Sequence, residues 1–157
     1  MTVDLGERPT VRGVVTVSVT DAAGHLLEQI VQRNVITLAG KRMLLDLGFG
    51  RGVPFIVGVA FGDNNTPATR TDAALYSEKI RIPLTSFTPA TDDGTSGKLT
   101  AVAVMGSTQG NGETYREIAF VRSLTAGAAD LFNRVVIPDR VKSSSKIITA
   151  QLDLTLT

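Results

Sequence analysis

Alternation of apolar and polar residues runs through most of the chain. From Val11 to Thr20, Val15, Val17 and Val19 fall on one side and Thr16, Ser18 and Thr20 on the other, the two-residue period of a half-buried strand. Asp21-Ala22-Ala23-Gly24 reads as a turn, and His25 to Gln32 runs back to complete a β-hairpin. Phe55 to Gly62 is apolar on both faces, as a central covered strand is, and its small residues Gly58 and Ala60 leave room that suits a helix. Lys79 to Leu84 alternates up to Pro83, which confines it to a sheet edge or a strand end. Lys98 to Gly106 places Leu99, Ala101, Ala103 and Met105 on one face. Gln109-Gly110-Asn111-Gly112 then predicts a hairpin turn into Glu113 to Arg122, with Ile118 and Phe120 on one face and Tyr115, Ala119 and Val121 on the other. Leu131 to Ile137 is a strand that Pro138 ends. Lys146 to Thr157 alternates most cleanly, with Ile148, Ala150, Leu152, Leu154 and Leu156 inward, so it is expected to be tied into a sheet or a partner.

One stretch has a helical period. Leu38, Leu44, Leu45 and Leu47, with Met43 at the margin, predict an apolar face, while Lys41, Arg42 and Asp46 turn to water. Thr37 suits the N-cap and Gly48 the stop. On this reading Leu45→Asp would bury a charge and destabilise strongly. Ala73 to Glu78 is read as a single helical turn. Asp63 to Asp72 and Thr88 to Gly97 are read as polar loops, and Gly48 to Gly52 as a flexible link. Seven or eight strands with one short α-helix packed on them predict a mainly β fold, an antiparallel β-sandwich or flattened barrel. Residues 1–12 read as an N-terminal arm and 13–157 as a single β-rich domain.

Composition narrows the function classes. The chain has 157 residues, enough to bury a core without disulfides or metal. Hydrophobic residues make up 43% and charged residues 20%, a globular composition and not a disordered one. With Lys plus Arg at 16 against Asp plus Glu at 15, the net charge of +1 gives no general attraction to nucleic acid or anionic membranes. The absence of cysteine excludes disulfides, thiolate catalysis and cysteine-ligated zinc. The first residues do not resemble a signal peptide, and the sequence holds no run of about 18 apolar residues to cross a bilayer.

Candidate chemistry is sparse. His25, the one histidine, follows a turn and reads as exposed. Glu113 and Glu117 lie four apart on a strand, one face of an exposed hairpin, where paired carboxylates more often solvate the surface than cleave glycosides. Asp63-Asn64-Asn65 lacks the glycine and distal glutamate of an EF-hand. Ser143-Ser144-Ser145 is a connector with no neighbouring histidine to activate it. The glycines around Arg51 lack the Lys-Ser or Lys-Thr pair of a phosphate loop. No catalytic, cofactor-binding or metal residue is assigned, and no cofactor is expected.

The order of short motifs resembles a family of tailed-bacteriophage virion proteins. A hairpin precedes the stretch from Arg33 to Arg42. Val59-Ala60-Phe61-Gly62, Thr66-Pro67-Ala68-Thr69 and Asp72-Ala73-Ala74-Leu75 follow, then Glu117-Ile118-Ala119-Phe120, Leu131 to Ile137 and the alternating last strand. The resemblance covers most of residues 13–157. It implies a non-enzymatic structural component of the virion, made in the bacterial host cytoplasm: a tail, baseplate or fibre-attachment adaptor. The alternatives are a capsid decoration (cement) protein and a carbohydrate-binding tail module. Its implied partners are other virion proteins and copies of itself in a homo-oligomer, with no nucleic acid and no membrane. The arm and the last strand are the expected contact elements, the strand by adding to a neighbour's sheet. Asn34 is expected to cap or turn the chain into the helix, Gly40 to permit close approach to a strand, and Gly62 to end its strand in a conformation other residues resist.

Overall fold

The computed structural model describes residues 10–48, 50, 55–92 and 96–157. The Met1 to Pro9 part of the arm, the Leu47 side chain and the link around Arg51 lie outside the described residues. Two five-stranded antiparallel sheets pack as a sandwich. The first has the order β2 (Leu26–Arg33), β1 (Val11–Asp21), β10 (Lys146–Leu156), β7 (Gly97–Met105), β6 (Ser86–Asp92). The second runs β3 (Val35–Ile36), β9 (Asn133–Val141), β8 (Thr114–Val121), β4 (Gly58–Gly62), β5 (Glu78–Pro83). One helix, α1 (Leu38–Gly48), follows β3.

The valine row of β1 and the aliphatic rows of β7 and β10 form the inner face of the first sheet. Val59, Phe61, Ile118, Phe120, Val135 and Ile137 oppose them from the second. The β1–β2 turn is as the sequence predicts. Asp21 Oδ1 accepts from the Ala23 N–H at 2.9 Å, and Gly24 has φ +89°, a left-handed conformation that a glycine adopts without steric cost. β5 is an edge strand, in keeping with Pro83.

The chain passes between the sheets at Asn34. Its backbone N–H donates to the Gly13 carbonyl at 3.2 Å, and the next two residues, Val35 and Ile36, are paired with β9. Asn34 therefore turns the chain but does not cap the helix. Thr37 does: its Oγ1 accepts from the Gly40 N–H at 2.9 Å and donates its own hydrogen to the Leu131 carbonyl at 2.6 Å.

Close approach sets the helix orientation. A Cβ added at Gly40 would overlap the Phe132 carbonyl oxygen and lie 2.8 Å from its carbon, so the helix rests here on the backbone of the residue just before β9. The buried face is then Gly40 and Met43, with Leu44 partly buried, while Leu38 is 56% and Leu45 63% exposed. This corrects the leucine face expected from the sequence. Leu45→Asp is accordingly expected to change stability by less than about 0.5 kcal/mol, the range for surface substitutions, as measured by urea unfolding.

Other expectations are corrected by the pairing. Asn111-Gly112 does not close a hairpin: β7 and β8 belong to different sheets, and the turn carries the chain across the sandwich. The stretch from Thr88 includes strand, since β6 runs to Asp92 along the edge of the first sheet. Ala73 to Glu78 forms no helical turn, and β9 continues through Pro138 to Val141. The β8–β9 ladder is irregular between Tyr115 and Glu117, which brings Tyr115 to the core face with Ile118 and Phe120 and leaves Ala119 and Val121 outside. β10 is a central strand with β1 on one edge and β7 on the other, so no free edge remains for adding to a neighbour's sheet. β1 begins at Val11, and Thr10 exchanges backbone hydrogen bonds with Thr157 at 2.7 and 3.0 Å.

Candidate functional site: an ionic clamp on the outer sheet face

The outer face of the second sheet is built from small residues. Gly62, Ala60 and Ala119 leave a shallow floor, on which Ala60, Ala119, Val121 and Leu131 pack with Leu75 from the loop between β4 and β5. Gly58 and Ala60 thus make room for loop side chains and not for the helix: a Cβ at Gly58 would meet Leu124 at 2.6 Å. Gly62 has no positive φ. It is required because a Cβ there would press on the Ser77 carbonyl at 2.7 Å and on the Glu117 side chain.

Arg134 stands at the centre of this face, fully buried. Its Nε donates to Glu117 Oε2 at 2.8 Å, one terminal nitrogen to Asp72 Oδ2 at 3.0 Å, and the other to the Thr66 carbonyl at 3.0 Å. The guanidinium carbon lies 4.6 Å from the centre of the Tyr76 ring, a cation–π contact. Both carboxylates are saturated by the same loop. Glu117 Oε1 accepts from the Ser77 N–H at 2.9 Å, and Asp72 accepts from the Thr69 N–H at 2.9 Å and the Thr69 hydroxyl at 2.6 Å. Two strands and a long loop are therefore locked together by one arginine.

A second arginine does the same for the loop between β8 and β9. Arg81 on β5 makes a bidentate pair with Glu78 at 2.9 Å for both bonds. It also reaches Asp130 at 2.9 Å and the carbonyls of Ser123 and Ala128 at 2.6 and 3.0 Å. Burial opposes ionisation of Asp72. The Thr69 hydrogen bonds and Arg134 outweigh it and hold the carboxyl below its ordinary value. Glu78 behaves alike: burial opposes its charge, and Arg81 with the Gly127 amide lowers its pKa overall. Groups depressed in the folded state stabilise it above their unfolded values and lose that contribution as pH falls through the folded ones. Stability is therefore expected to be flat from neutrality to about pH 5 and to fall below about pH 4, as followed by urea midpoints across that range.

The sequence candidates are placed elsewhere or differently. Glu113 and Glu117 do not form an exposed pair: Glu117 is buried in the clamp, and Glu113 meets Lys79 at 3.3 Å on the surface. His25 is exposed, with its ring Nδ1 2.9 Å from Asp21 Oδ2. Asp63 is paired with Arg116, which also holds Asp139 by two bonds of 2.9 Å. Ser143 and Ser145 hydroxyls lie 2.9 Å apart in a turn. Among the described residues no group of three or more His, Asp or Glu side chains is arranged to hold a metal, and no helix is long and apolar enough to cross a membrane. Lys142 carries no signal in the sequence that marks it as buried. It is 1% exposed, and its ammonium donates to Asn111 Oδ1 at 2.9 Å and the Ser143 carbonyl at 2.8 Å, with burial pushing its pKa down.

Chemically, the clamp fixes geometry. Each arginine nitrogen faces an acceptor, and each carboxylate faces its arginine, so neither cluster presents a vacant acid, base or nucleophile to a substrate. No protein-family model, curated protein or solved structure matches the chain.

Proposed function

We propose that the protein is a non-enzymatic structural part of a tailed-bacteriophage particle, a tail, baseplate or fibre-attachment adaptor that works as an oligomer among other virion proteins. One observation supports this reading above the rest. The short motifs on which the resemblance rests meet at the clamp and the helix cap. Gly62, Thr66, Thr69, Asp72 and Leu75 surround Glu117 and Arg134, and Thr37 is bonded to Leu131. Their shared role is to hold loops rigid on a sheet face, as an adaptor that presents fixed surfaces to neighbours requires. A Glu117-dependent glycan site is disfavoured, because that carboxylate is fully buried and its oxygens are engaged.

Immunogold labelling of particles from a host carrying the gene tests the proposal. Gold at the tail or baseplate is expected. Gold distributed over the head would favour capsid decoration instead, and particles without label would overturn the virion assignment.

A further inference from the structure

Beside α1 lies a half-open cleft of about 490 Å³, lined by Leu38, Ala39, Arg42, Met43, Asp46, Arg122 and Ala129. Its wall carries two arginines and one acid. Glu28, Asp63, Asp72, Glu78, Glu113, Glu117, Asp130, Asp139 and Asp153 each have a cationic partner, and Asp21 is bonded to the His25 ring. Asp46, on the cleft wall, has an interaction of its own. Arg42 and Arg122 have no ionic partner among the described residues, yet both line this one cleft. Lys41 is next to Arg42, and Arg70 is held at the start of the helix by its carbonyl, which accepts from the Leu38 N–H at 2.8 Å. Neither Lys41 nor Arg70 is ion-paired among the described residues.

Apolar surface accompanies the cations. Met43 closes the floor of the cleft, while Leu38 and Leu45 on the same helix are more than half exposed. An exposed leucine in a cleft with two arginines that have no ionic partner among the described residues fits a partner that supplies both carboxylates and aliphatic side chains. We infer that the α1 cleft is a docking surface for an acidic, leucine-bearing segment of another protein, with Arg42 and Arg122 receiving its carboxylates. Nucleic acid is the weaker fit: among the described residues no aromatic side chain lines the cleft to stack on bases. The assignment goes beyond the virion reading and stands on the surface whether or not that reading holds.

Fluorescence anisotropy with a labelled dodecapeptide of alternating Glu and Leu tests it on the full chain. Saturable binding is expected, weakened about tenfold or more by R42E/R122E, the equivalent of about 1.4 kcal/mol, and by less than twofold in R12E/K146E as a charge-matched control. Amide shifts of the unmodified protein titrated with the same peptide are expected to cluster on Ala39, Arg42, Arg122 and Ala129, which keeps the test valid if a variant misfolds. The inference is overturned by absence of saturable binding, by equal weakening in both double variants, or by shifts centred elsewhere. Equal affinity for a Glu and Ser dodecapeptide, or tighter binding of a single-stranded DNA dodecamer at the same residues, would also overturn it.

Discussion

Arg134→Met is expected to cost about 3–5 kcal/mol, because it strands the buried carboxylates of Glu117 and Asp72 without their cation. Methionine fills much the same volume, so the loss isolates charge from packing. Glu117 would retain only the Ser77 and Tyr76 amides, and Asp72 its Thr69 contacts and the Tyr76 hydroxyl. Domains of this size are typically stable by about 5–15 kcal/mol, so a loss of this order shifts the urea midpoint far while leaving a folded population to measure. Neutralising the stranded acids as well, in R134M/E117Q/D72N, is expected to recover more than about 1 kcal/mol of it. A single variant that unfolds with the parent would show that the clamp contributes no net stability.

The second large effect has a sign opposite to helix propensity. In an exposed helix Gly→Ala stabilises by about 1 kcal/mol, yet Gly40→Ala is expected to destabilise by about 2–3 kcal/mol. The added methyl meets backbone and not a movable side chain. The Phe132 carbonyl is itself fixed: it accepts from the Thr37 N–H at 3.1 Å, and the Phe132 N–H donates to Phe120 at 2.8 Å. Relief would require the helix to lift from the Phe132 backbone, uncovering Met43. A G40A variant as stable as the parent, or more so, would mean that the helix has room to move.

The regular strands were legible because one face of each is buried and the other wet. β1, β7 and β10 show that period in full, and the sandwich follows from it. Three kinds of feature were not. Strand partnership across the sandwich is invisible to local pattern, so Asn111-Gly112 resembled a hairpin where the chain changes sheets. The leucines suggest one helix orientation, whereas Gly40, the residue with no side chain, marks the contact. The clamp escaped because its members, Asp72, Glu117 and Arg134, are far apart in sequence. A signal existed nonetheless: Arg134 interrupts an apolar strand, and a charge there requires a buried partner. Which carboxylates would answer it depends on tertiary structure alone.

The long loop between β4 and β5 is structural, held to the second sheet by Arg134 and its two acids. Native-state hydrogen exchange reads this directly at the Thr69 and Ser77 amides, which donate to Asp72 and Glu117. Both are expected to exchange far more slowly than an unfolded peptide, and both to lose protection in R134M before the central amides of β10 do. Thr69 and Ser77 amides exchanging in the parent protein at the rate of an unstructured chain would contradict it.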